Sequence, residues 1–314
     1  MRKIFLCILI VLVSVKFHAQ NLTHYENLLT PDFQKDIIAS MTSSLTEGRE
    51  AGKVGNLIAG RIIADKFKAM GLVPYRWHYT QGFRLNDTLV GRNIVGYVPA
   101  VKPSDEYIVV SAHYDHLGRI RGRIYPGADD NASGVAALIS IAQMFRQMRS
   151  DGAGPKKNIF FVAFDGKELD MSGSLHFVRN MGLPREKIVC NVNMDILGSN
   201  LVPPGKDAQY LIALGEETLP ARYRGHLARI CGFNRDLRMD LSLSFYGSRD
   251  FTRMMYSLGD HDSFARTGIP AVFFTSGFHQ HTYKQTDTME IIDFELLRKR
   301  TAVIFEFINC LCTE

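Results

Sequence analysis

Cysteine is scarce in this chain: five in 314 residues, too few for the disulfide framework that holds small secreted folds together. Cys310 and Cys312 flank one leucine in an apolar C-terminal stretch and read as packing rather than as metal ligands. Long hydrophobic runs are missing too, apart from Ile4 to Val15, which follows Arg2 and Lys3. That run falls short of the ~20 residues a membrane span needs, and with the small Ala19 beyond it reads as a secretory signal peptide. Cleavage near Ala19 is expected, leaving residues 20–314 secreted or periplasmic, with no membrane partner. Charge of one sign is also lacking. The chain carries +5, and loss of residues 1–19 removes Arg2, Lys3 and Lys16 but no acid, leaving 34 basic against 32 acidic residues. A balance of +2 provides no basic surface for nucleic acid. With no repeat, low-complexity tract or linker, residues 20–314 read as one domain, large enough to bury a substantial core.

What is present centres on Tyr107 to Gly134, YIVVSAHYDHLGRIRGRIYPGADDNASG. The apolar run from Tyr107 to Val110 predicts a buried strand whose end delivers His113, Tyr114, Asp115 and His116 together. In open α/β sheets, ligand chemistry collects just past the carboxyl ends of the strands. A turn-rich loop through Asp129, Asp130 and Asn131 leads to a helix with Val135, Leu138, Ile139, Ala142 and Phe145 on one face. The loop acids either cap that helix or hold a metal. The pairing of His-x-Asp with a caged Asp-Asp suits a hard or borderline ion.

Two helices are predicted before this region. One covers Thr30 to Leu45, and a second carries Leu57 to Met70 and stops at Gly71. Strands are predicted at Tyr75–Leu85, Asn93–Val98, Asn158–Phe164, Ile188–Met194, Leu211–Leu214 and Ala271–Thr275. Further helices run through Val178, near Ala221 to Ile230, and from Asp293 to Leu311. The connection from Phe233 to Ser257 is expected to shape a substrate side. Three successive apolar strands thus hand His113 and Asp115, Glu168, and Asp195 to one edge of a sheet.

The segments SAHYDHLG, PGADDNASG, FDGKE, NVNMD and GDHDSFARTGIPAVFF, in this order, resemble those of the M28 zinc exopeptidases, an aminopeptidase-like family that includes relatives of glutaminyl cyclase. The similarity runs from about Leu45 to Phe307. It implies a single α/β domain with a mixed, mostly parallel central sheet and helices on both faces. It further implies zinc, one or two ions: one on His113 and Asp195, Asp130 bridging, Glu168 on the other, and Asp115 orienting His113. Asp260 and His261 would line or buttress the substrate pocket.

Two positions depart from the family pattern. Where a Glu-Glu pair is expected, with the first member as general base, the chain has Lys167-Glu168. Asp165 is the nearest substitute base. The last histidine ligand is expected four residues before Asp287, where Tyr283 stands, and His281 is the candidate replacement. The implied activity is removal of N-terminal residues from peptides, slowed by Lys167. Aminoacyl cyclisation, and peptide binding without cleavage, are the alternatives.

Overall fold

The computed structural model describes residues 24–200, 209–233, 237–241 and 248–313. The expected signal segment and part of the Phe233–Ser257 connection lie outside them. Helix α1, Pro31–Met41, starts where Thr30 accepts the Phe33 N–H at 3.2 Å and Pro31 needs no donor of its own. Helix α2, Val54–Ala69, ends before Gly71, whose φ of +75° a side chain would resist. Strands β1 (Val73–Pro74), β2 (Thr80–Arg84), β3 (Val90–Val98) and β4 (Tyr107–His113) follow, then a small hairpin of β5 (Arg119–Ile120) and β6 (Arg123–Ile124). After them come α3 (Gly134–Ser150), β7 (Asn158–Phe164), α4 (Ser172–Asn180), β8 (Ile188–Met194) and β9 (Tyr210–Leu214). The chain continues through α5 (His226–Phe233), β10 (Arg238–Asp240), α6 (Arg249–Tyr256), α7 (Asp262–Ala265), β11 (Ala271–Thr275) and α8 (Phe294–Thr313).

Among the described residues the main sheet has the order β1-β3-β7-β4-β8-β11-β9-β10, with β2 also on β3. Its centre, β7-β4-β8-β11, is parallel, while β3 joins β7 and β9 joins β11 antiparallel. The mixed sheet expected from the sequence is therefore present, with its parallel character concentrated in the middle.

Both faces of the central strands are buried, which is why these strands read as continuous apolar runs. Along β4, Ile108, Val110 and Ala112 pack into a cluster with Val135, Leu138 and Phe145 of α3 and Val303 of α8. Val109 points the other way, into Val162, Phe164, Phe177 and Phe264. The register aligns the strand ends: His113 lies beside Phe164 of β7, and Ser111 lies beside Asn193 of β8. The residues that follow His113, Phe164 and Met194 consequently emerge at one edge.

Candidate metal centre

That edge gathers Asp115 and His116 after β4, Lys167 and Glu168 after β7, and Asp195 after β8. Asp130 comes from the loop before α3. Two triads form, each with ligand-capable atoms within 4.8 Å of one another: His113, Asp130 and Asp195, and His116, Asp130 and Glu168. His113 Nε2 is 3.2 Å from Asp195 Oδ1 and 3.4 Å from Asp130 Oδ1. Atoms bound at ~2.1 Å to a tetrahedral ion lie about 3.4 Å apart, so this triad has the spacing of zinc ligands. His116 Nδ1 is 3.9 Å from Asp130 Oδ2, so Asp130 presents one oxygen to each triad.

The frame around Asp130 explains its placement. Asp287 accepts the backbone N–H groups of Asp129 at 2.8 Å and Asp130 at 3.0 Å. Asp129 in turn accepts from Gly198 and Ser199 N–H and pairs with His279 at 3.1 Å. Asn131 donates to the Met194 carbonyl and accepts from Ile196 N–H, tying the loop to the end of β8. The buried Arg49 guanidinium donates to the carbonyls of Met41, Tyr114, Pro126 and Gly127, joining the ends of α1 and β4 to the Asp130 loop. Asp115 accepts the Lys167 and Glu168 N–H groups, each at 3.0 Å. Its backbone carbonyl is 3.1 Å from His113 Nδ1 and its carboxylate 3.6 Å away. Asp115 thus orients His113 through the carbonyl and fixes the 167–168 turn through the side chain.

The electrostatics are those of buried, competing charges. Burial holds His116 down to about 3, so its ring stays neutral. Burial also lowers His113, but the charge of Asp195 overcomes this and raises it well above the usual histidine range. Burial raises Glu168 to about 7 against the pull of Lys167. Asp130 is held well below the carboxylate range: burial opposes this, and Lys167 and His113 outweigh it.

Several expected site residues stand elsewhere. His281 is not in either triad; its Nδ1 is 2.8 Å from Thr286 Oγ1, in a partly exposed loop. The histidine beside Asp130 and Glu168 is instead His116, the second histidine of HYDH, which reaches Asp130 from the β4 end. Tyr283, in the expected ligand position, lies with its ring nearly parallel to His116 at 6.4 Å. Asp165 is committed to the fold: its oxygens accept from Asn56, Gly166 N–H and Arg92 N–H, which leaves it no role as base. Asp260 is buried and raised to about 6 by burial. His261 stacks at 4.4 Å on Phe273, behind the pocket wall.

The residues fit a divalent ion. Both oxygens of Asp130, the residue common to the two triads, are buried without a hydrogen-bond partner, a costly arrangement that a cation on either triad relieves, and the buried ring nitrogens of His116 are likewise unpartnered. Nitrogen and carboxylate donors without sulfur suit zinc. Beside the triads, Ile196, Met255, Leu258, Phe273, Thr275 and Phe278 line a small apolar pocket that touches Lys167 and Asp195.

A doubly wrapped α/β sheet with a histidine–carboxylate cluster at its strand ends defines the class of zinc-exopeptidase-like folds. The sequence profile of Peptidase family M28 matches residues 93–308, and the chain belongs to that family. Aminopeptidase YwaD of Bacillus subtilis is 32% identical over 113 residues, covering 35% of this chain and 22% of that protein. The chain spans less than half the length of curated relatives it matches, among them that aminopeptidase. The LapA aminopeptidase of Legionella pneumophila shares the fold with a TM-score of 0.72 at 20% identity, over 95% of this chain and 76% of that one. Porphyromonas gingivalis glutaminyl cyclase does so with a TM-score of 0.67 at 18% identity, over 90% and 98%.

Proposed function

We propose that this chain is a zinc-dependent aminopeptidase of low turnover that removes apolar residues from peptide N-termini. The observation that carries the reading is the pair of buried triads sharing Asp130, with the apolar pocket directly beside them. A divalent ion bound there supplies Lewis-acid polarisation of a scissile carbonyl and an acidified water. The chain's own residues do the rest. The pocket takes the first side chain. Its space, about 10 Å³, is that of roughly one water, so entry requires its walls to part. Tyr283, kept protonated because burial raises it to about 12, offers its O–H to a developing oxyanion from the mouth of the site.

Glu168, raised to about 7, is the carboxylate matched to accept a proton near neutrality. Lys167 Nζ holds one of its oxygens at 2.9 Å, which weakens it as a base and supports the slow turnover. Incubation of the zinc-loaded protein with a mixed peptide library, read by mass spectrometry, tests the reading. Loss of one N-terminal residue, apolar ones first, is expected, and unchanged peptides would sink it.

Aminoacyl cyclisation is the second reading, on a scaffold that the glutaminyl cyclase structure shares. In the same assay it appears as loss of ammonia or water from N-terminal Gln or Glu. The basic-then-apolar start supports export to the periplasm or medium, with peptides as the partners. An exported N-terminus near Gln20 is the expected finding, and an intact Met1 would exclude it.

A further inference from the structure

The Lys167 side chain is 7% exposed, and its ammonium points into the acid cluster. Nζ is 2.9 Å from Glu168 Oε1, 3.9 Å from Asp195 Oδ2 and 4.0 Å from Asp130 Oδ1. The Tyr283 hydroxyl, at 3.4 Å, is its remaining polar contact. The three carboxylates it faces are all the carboxylates of the two triads.

We propose that Lys167 is a resident cation that takes the place of a second metal ion, so that the centre holds one divalent ion, on His113, Asp130 and Asp195. The charges argue for this. Three carboxylates and one ammonium leave −2 among these groups, with both histidines counted as neutral rings. One divalent ion brings that to zero. A second would leave +2 among these groups, with the ammonium about 4 Å from the shared ligand of both ions. The geometry says which triad is filled. Glu168 belongs only to the triad with His116, and it is the group the ammonium holds most closely, while the His113 triad keeps the spacing of zinc ligands.

Native mass spectrometry after loading with excess zinc and desalting counts the ions without reference to any reaction. One ion per chain is expected for the wild type. Lys167→Glu is expected to hold two, the second at least about tenfold tighter than any second ion in the wild type, because a like charge near 4 Å becomes an added carboxylate. His116→Ala in the Lys167→Glu background should return the count to one, since the second ion uses His116. Cobalt(II) titration followed by visible absorption gives the same counts and reports coordination. Lys167→Met, which keeps the length of the stem, should also gain affinity for a second ion if Lys167→Glu folds poorly. Two tightly held ions in the wild type, or an unchanged single ion in both lysine variants, overturns the inference. No ion in any form overturns the metal centre itself, a distinct failure.

Discussion

The carboxylate of Asp287 caps two successive amides, accepting the N–H of Asp129 at 2.8 Å and that of Asp130 at 3.0 Å, from 157 residues further along the chain. It therefore sets the orientation of the one residue common to both triads, although it contacts no ligand atom. Asp287→Ala leaves two buried amides unpaired, which costs about 2–4 kcal/mol of stability at ~1–3 kcal/mol apiece, less whatever water recovers. Because groups that orient ligands are worth roughly 10–100-fold in affinity, zinc binding should weaken by a comparable factor. Calorimetric titration of the folded variant checks this, and unchanged zinc affinity would mean that Asp130 is held by its neighbours alone.

Asp130→Ala removes an oxygen from each triad and should abolish zinc retained through desalting, measured by elemental analysis. Full metal content in this variant would show that the shared-carboxylate assignment is wrong. Chelation of the wild-type protein should likewise lower its melting temperature, since an ion bound only to the native state stabilises it by mass action.

Arg49 is fully buried, with its guanidinium spent on four backbone carbonyls. Burial lowers it to about 10, still charged at neutral pH. Arg49→Met keeps much of the stem volume but strands those carbonyls, and a loss of about 3–5 kcal/mol is expected. Denaturant unfolding measures it. A loss below ~1 kcal/mol would show that water takes over the bonds.

Much of this frame could be read from the sequence, for definite reasons. The strands Asn158–Phe164, Ile188–Met194 and Ala271–Thr275 fall where their largely apolar runs place them, because both faces are buried, and the asparagines within Ile188–Met194 are tied to Val109 and Ser111 of the neighbouring strand. The predicted strand from Tyr75 to Leu85 instead divides into Val73–Pro74 and Thr80–Arg84. Both pieces pair only with β3 at the sheet margin, where tertiary pairing rather than composition sets the ends. That His113, Asp130, Glu168 and Asp195 converge on one edge was legible because each follows a strong local pattern. His116 was equally close at hand but needed a three-dimensional turn to aim it at Asp130. The place of His281 depended on a loop with no periodicity, in which its neighbour His279 is taken up by Asp129. Asp287 could be placed as a landmark but its role could not be read, since its bonds span more than 150 residues.

The metal-free protein should lose stability as pH rises from 6.5 to 8. Burial, the leading cause at each, raises Glu168, Asp165 and Asp287 to about 7, far above the range of an unfolded carboxylate. His113 is raised as well, and with it the native state binds more protons than the unfolded chain in this window, which gives stability a negative slope with pH. His116 and His261, lowered to about 3, act with the opposite sign, but mainly below the unfolded histidine value near 6.5. A fall of roughly 2 kcal/mol, or ~5 °C in melting temperature, is expected in chelator. Zinc should abolish or reverse the slope, because its ligands bind deprotonated. A melting temperature that rises over the same range in chelator would contradict the charge states given for the cluster.

Lys167→Glu carries the sharpest functional expectation. The substitution removes the ammonium now 2.9 Å from Glu168 and places a carboxylate where the family pattern expects the general base. General-base catalysis contributes about 10²–10⁴-fold, or roughly 3–5 kcal/mol of barrier. Part of that range should be recovered, at least about tenfold in turnover of peptides with an apolar first residue. The gain should appear in kcat more than in KM, because the base acts in the transition state and not in the binding of substrate. Steady-state kinetics at saturating zinc separates the two. A fast wild type that the substitution slows would mean the proton is taken by a group that depends on Lys167, with Glu168 the first to replace. Should both proteins bind zinc while neither cleaves a free N-terminus, peptide binding without hydrolysis would become the better account of Lys167 and Tyr283.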